Sequence, residues 1–77
     1  MTTKEFNAIR YSLKSHIGWE DEHISVYESN NFTPTIKVRV YTRVNGQSRR
    51  VFYFMGKAYR GKDSLLKAIN EYQNNQQ

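Results

Sequence analysis

Three groups of residues in this 77-residue chain have the types and spacing to do chemistry: a histidine pair, a run of carboxylates, and a long stretch of cations threaded with aromatic rings. His16 and His23, the only histidines, lie seven apart. No cysteine accompanies them, so the clustered ligand set of a metal centre is missing and a structural or surface role is assigned to both. Glu20-Asp21-Glu22 are consecutive. A solvated acidic turn is the first reading of such a run; grip on a cation or a basic partner is the second. No Ser/His/Asp arrangement, P-loop or glycine-rich phosphate cradle occurs. Tyr59-Arg60-Gly61-Lys62, ahead of a helix, is only a fragment of an anion site. Nothing sets a base beside a nucleophile, so the chain is read as non-enzymatic, with no cofactor and no metal.

The cations are a different matter. Residues 29–62 hold eight basic side chains (Lys37, Arg39, Arg43, Arg49, Arg50, Lys57, Arg60 and Lys62) and no Asp or Glu. The flanking segments are net acidic, although the whole chain carries +5. A surface built only for solubility mixes its signs; this chain separates them, and the partner expected for its middle is an anion.

The elements that must position these groups follow from pattern. Thr2 and Glu5 have capping-box spacing, and Phe6, Ile9, Leu13 and Ile17 recur at helical steps ahead of Gly18. An amphipathic helix is predicted over 3–17, within an N-terminal segment 1–18. Alternation over 23–28 predicts a first strand, and 35–44 a second, rich in β-branched residues. Asn45-Gly46 is the preferred pair for a two-residue turn, with the return strand at 47–55. Leu65, Leu66, Ile69 and Tyr72 mark the apolar face of a final helix over 63–73, and 74–77 reads as a frayed polar tail. The expected architecture is a single α+β domain, 1–77, in the order α-β-β-β-α: a three-stranded antiparallel sheet over 23–55 packed against the C-terminal helix, with the N-terminal helix added.

A two-residue Asn45-Gly46 turn fixes a register: Val44 opposite Gln47, Tyr41 opposite Arg50, Arg39 opposite Phe52, Ile36 opposite Met55. Paired residues share a face. One face then gathers Ile36, Val38, Val40, Val51 and Tyr53 for the core. The other presents Lys37, Arg39, Tyr41, Arg43, Arg50 and Phe52, with Phe54 beside them. Cations neutralise phosphates, Arg reads guanine, and rings stack on bases. DNA, or RNA, is the partner expected for that face. The competing reading is structural: strand cations keep edges soluble, and the N-terminal helix covers the two phenylalanines. No apolar run approaches a membrane span and no secretory stretch opens the chain, so a soluble, cytoplasmic protein without a membrane partner is expected.

Two family resemblances extend these readings. Ile24-Ser25-Val26, Ile36-Lys37-Val38-Arg39-Val40, Asn45-Gly46, Phe52-Tyr53-Phe54, Tyr59-Arg60-Gly61-Lys62 and Leu65-Leu66-Lys67-Ala68-Ile69-Asn70-Glu71-Tyr72 resemble the AP2-like domains of homing endonucleases, integrase arms and plant transcription factors. The likeness covers residues 23–73. It implies a three-stranded sheet whose outer face meets the DNA major groove through Lys37, Arg39, Tyr41, Arg43, Arg50 and Phe52. Ile9-Arg10-Tyr11, Ile24, Val26-Tyr27-Glu28, Ile36-Lys37, Arg39-Val40, Val44-Asn45-Gly46, Ser48 and Ala68-Ile69-Asn70-Glu71 also resemble phage anti-CRISPR proteins that bind the type I-F surveillance complex. That likeness implies a protein-binding inhibitor of a host defence ribonucleoprotein, with Tyr11 and Tyr27 as partner contacts. Both imply a phage or mobile-element setting, and for a phage protein the host cytoplasm.

Overall fold

The chain opens as its first residues dictate. The Thr2 hydroxyl accepts from the Glu5 N–H at 3.1 Å, and the Glu5 carboxylate accepts from the Thr2 N–H at 2.9 Å, a complete capping box. The helix it starts, α1, runs only over Thr3–Asn7. In this computed structural model, which describes residues 1–75, the helix expected over 3–17 is thus cut to five residues, and Tyr11–Gly18 is instead a strand, β1.

The reason lies in Asn30 and Asn31. The Asn31 side chain accepts from the Arg10 N–H at 2.8 Å and donates to the Ala8 carbonyl at 3.2 Å, while the Asn30 N–H donates to the Arg10 carbonyl at 3.0 Å. These bonds take up the backbone groups that a continuing helix would need, and they aim the chain into the sheet.

β1 is followed by β2 (Glu22–Ser29), β3 (Lys37–Arg43), β4 (Ser48–Phe54), β5 (Lys57–Tyr59) and the helix α2 (Lys62–Asn74). The strands form one antiparallel sheet in chain order, β1-β2-β3-β4-β5. The expected three-stranded sheet is therefore corrected to five strands, within an α+β fold. Of the tail expected at 74–77, Asn74 closes α2 and Asn75 caps it; residues 76 and 77 lie outside the described residues.

The hairpin register also differs from expectation. Arg43 pairs with Gln47 around a three-residue loop, Val44-Asn45-Gly46, in which Gly46 takes φ +91°. This is a type I turn closed by a left-handed glycine. The register that follows sets Tyr41 opposite Arg49, Val40 opposite Arg50, Arg39 opposite Val51, Val38 opposite Phe52 and Lys37 opposite Tyr53. A slip of one residue moves every side chain of β4 to the other face. The two-residue turn occurs ten residues later, where Phe54 pairs with Lys57 around Met55 (φ 52°) and Gly56 (φ 80°).

α2 packs on β4 and β5, covering one end and one face of the sheet. Phe6, Ile36, Val38, Phe52, Phe54, Leu65 and Ile69 make the core. Phe54 meets Tyr72 edge-to-face, with centroids 5.7 Å apart. Each such side chain contributes about 1.5–3 kcal/mol by leaving water. The Met1 ammonium donates to the Asn70 side-chain oxygen at 2.7 Å and ties α1 to α2. Between β2 and β3, the buried Ser29 hydroxyl accepts from the Ile36 N–H at 2.9 Å and donates to the Phe32 carbonyl at 3.3 Å.

The remainder of the sheet projects beyond the helix, giving a long molecule of 48 × 23 × 20 Å. Its far end joins the β1–β2 and β3–β4 turns through the Val44 N–H, which donates to the Asp21 carbonyl at 3.1 Å. Among the described residues no helix is long and apolar enough to cross a membrane.

Candidate functional site

β3 runs through the middle of the sheet and supplies the centre of the site. Its alternation sends Val38 and Val40 toward the helix side and Lys37, Arg39, Tyr41 and Arg43 to the opposite face. The helix leaves that opposite face open: Lys37, Arg39 and Arg43 are exposed, and Tyr41 is half-buried among its neighbours. From β4, Arg49, Val51 and Tyr53 join them, and from β2, Glu22, Ile24, Val26 and Glu28.

Two cation–ring stacks organise this surface. The Arg39 guanidinium carbon lies 5.1 Å from the Tyr53 ring centroid, and that of Arg49 lies 4.6 Å from the Tyr41 centroid. Each contact contributes on the order of 0.5–1 kcal/mol at an exposed site. The neighbouring Tyr41 hydroxyl, followed by that of Tyr53, raises the Arg39 pKa, and a guanidinium is charged at any pH the fold tolerates. At the sheet's far end Arg43 Nε sits 3.8 Å from Glu22 Oε2, and Glu28 stands opposite Lys37. The charge is therefore graded across the strands, with cations over β3 and β4 and carboxylates over β2, where Glu22 engages Arg43 at the edge of the cationic area.

Of the six residues expected on this face, Lys37, Arg39, Tyr41 and Arg43 are brought together there. Arg50 and Phe52 are not. Phe52 is a core residue at 5 % exposure, and Arg50 lies on the helix side opposite Val40. Their places are taken by Arg49 and Tyr53, which a two-residue turn would have turned inward. The signal for them is the glycine at the third position of Val44-Asn45-Gly46, where a three-residue loop needs its left-handed residue.

The helix side carries a second feature. A groove of about 320 Å³ opens between α1, the sheet and the start of α2. Phe6, Tyr11, Tyr27, Val40, Arg50 and Lys62 are among its lining residues, and none of the lining residues is acidic. Burial raises the pKa of the Tyr11 hydroxyl. Tyr11 and Tyr27, on neighbouring strands, thus share one concave surface.

The histidines pair on the helix side of the projecting part of the sheet. Their rings stack with centroids 5.5 Å apart, and His16 Nδ1 is 2.9 Å from Ser25 Oγ. Gly18 makes room for them, since a Cβ there would come within 2.8 Å of His23 Nδ1. Among the described residues no group of three or more His, Cys, Asp or Glu side chains converges on a metal-sized site. Glu20 and Asp21 lie in the β1–β2 turn, and Glu22 opens β2, engaged with Arg43.

No family model, no curated protein and no solved structure matches the chain. The arrangement of its own residues is what speaks to its function.

Proposed function

We propose that the chain is a non-enzymatic nucleic-acid-binding protein that works through the open face of its sheet. The observation that carries this reading is the gathering of Lys37, Arg39, Arg43 and Arg49 with two tyrosine rings on a surface no helix covers. Four cations on one face displace counterions from a phosphate backbone, and rings beside them supply contact to bases. The setting that suits this reading is the cytoplasm of a host cell, for a protein carried by a phage or mobile element. The test is fluorescence anisotropy with labelled DNA and RNA over a range of salt concentrations. Affinity that falls steeply with salt is expected. Absence of binding at low salt to every nucleic acid tried would reject the reading.

A second reading, an inhibitor of a host defence complex, has one specific observation in its favour. Tyr11 and Tyr27, the two partner contacts implied by the anti-CRISPR resemblance, line a single apolar groove with Phe6 and Arg50 at its sides. Binding to a purified type I-F surveillance complex, weakened by Tyr11→Ala and Tyr27→Ala but not by Arg49→Ala, is what this reading requires. Equal weakening by all three variants counts against it.

A further inference from the structure

The width of the sheet, the placement of its charges and the state of its rings narrow the class of nucleic acid the open face accepts; the inference rests on the nucleic-acid reading above. A two-stranded ribbon enters a duplex major groove about 12 Å wide. β3 and β4 are not such a ribbon, because β2 and β1 continue the sheet on one side and β5 on the other. At a strand spacing of about 4.8 Å, the four long strands alone span roughly 14 Å between outer backbones, before side chains are added. The full width of this face exceeds that of the groove.

The charges disfavour a duplex laid across the surface as well. Cations stand on β3 and β4, but Glu22 and Glu28 stand on β2 with their side chains on the same face. A duplex resting on the sheet would bring phosphates against both. A single strand can follow the cationic side and leave the carboxylates to solvent.

The rings supply the positive argument. Arg39 lies over Tyr53 and Arg49 over Tyr41, and in each pair the arginine is exposed and the ring half-buried, so each pair makes a plate of a cation backed by a ring. A plate of this kind accepts the flat face of a base. Inside a duplex both faces of a base are already covered by its stacked neighbours, and only an unpaired base has a face to offer. Tyr53 is level with Lys37 and Tyr41 with Arg49, so the plates are four residues apart along β3, about 13 Å. That spacing is several times the rise of about 3.4 Å between stacked bases, so the two plates take bases that are not stacked on each other.

We infer that the open face binds single-stranded nucleic acid, seating unpaired bases on the Arg39–Tyr53 and Arg49–Tyr41 plates, whose guanidinium charges also attract the phosphates of the strand. The test uses the full chain, with a labelled non-self-complementary strand of about 15 nucleotides, a length suited to one small domain, and the same strand in duplex. Anisotropy at matched salt is expected to give at least about tenfold tighter binding to the single strand. Tyr41→Leu and Tyr53→Leu are each expected to weaken that binding about fivefold or more without altering its salt slope. Tyr41→Phe and Tyr53→Phe are expected to retain it, and far-UV circular dichroism with the spread of amide proton shifts reports whether every variant is folded. Duplex bound as tightly as the single strand would overturn the inference. So would folded leucine variants that bind like the parent while Arg39→Ala binds weakly, an outcome in which the nucleic-acid reading itself survives. Loss of all binding, single and double strand alike, removes both.

Discussion

Arg43 and Gln47 face each other across the mouth of the β3–β4 turn, the Arg43 N–H donating to the Gln47 carbonyl at 2.8 Å. That closing pair, rather than the Asn-Gly dipeptide inside it, sets which side chains of β4 reach the open face. Deleting Val44, which is 70 % exposed, leaves Asn45-Gly46 as a two-residue loop between the same closing pair. The deletion is expected to keep the whole β3–β4 register and, because it also removes the Val44 N–H bond to the Asp21 carbonyl, to lower stability by about 0.5–1.5 kcal/mol. Nuclear Overhauser contacts between Val38 and Phe52 check the register, and their replacement by contacts between Val38 and Tyr53 would contradict it.

Arg49 and Arg50 are neighbours in the chain with opposite fates. Arg49 stacks on Tyr41 on the open face, and Arg50 lines the groove on the other side. Arg49→Ala is expected to weaken nucleic-acid binding and to lower its salt slope by about one, whereas Arg50→Ala leaves both unchanged. Titrations at several salt concentrations measure the pair. The reverse result would place the interface on the groove side.

Met55 takes a left-handed backbone (φ 52°) in the tight β4–β5 turn while its side chain is 61 % exposed. A non-glycine residue in that conformation costs roughly 1–2 kcal/mol, and asparagine or glycine relieves most of it. Met55→Asn is expected to raise stability by about 0.5–1 kcal/mol, seen as a higher urea midpoint at unchanged slope. A lowered midpoint would mean that the methionine side chain contributes packing that outweighs the strain.

Glu5 gives the fold a dependence on pH. Hydrogen bonds from Thr2, that of its backbone N–H first, hold the Glu5 carboxyl below its ordinary value of 4.5. A pKa depressed by folding stabilises the folded state at pH above the unfolded value, and the effect is lost as pH falls through the lower, folded value. Thermal melts of the parent and of Glu5→Gln are therefore expected to differ most at neutral pH and to converge in acid. A gap that stays constant down to about pH 3 would show that the charge of the capping box has no part in it.

The parts of the fold legible in the sequence are those where one pattern prevails. Alternation over β2 and β3 and the apolar face of α2 are each consistent along their length, and the α+β character follows from them. β1 is not consistent. A bulge at Lys14 shifts its pairing, so that Leu13 lies opposite Tyr27 on the helix side and Ile17 opposite Ile24 on the open face. Two apolar residues four apart then occupy opposite faces of a strand and imitate the step of a helix. The bonds that decide the matter come from Asn30 and Asn31, about twenty residues further on. β5 escaped because three residues, Lys57–Tyr59, are too few to show alternation. In the site, the four β3 residues were legible from alternation alone. The β4 residues were not, because one added loop residue reverses their faces.

The strand sequence of the sheet is simply that of the chain, each strand hydrogen-bonded to the one before it and the one after. No crossover has to be threaded, and the β2–β3 connection, closed by Ser29 and Ile36, is the longest link between strands. The fold thus has a low contact order for a sheet protein, since each pairing closes a short loop and gives up little chain entropy. Successive zippering of neighbouring strands, with the Met1–Asn70 clasp between distant parts of the chain closing late, is the expected order of assembly. A folding rate toward the fast side of sheet proteins follows from that layout.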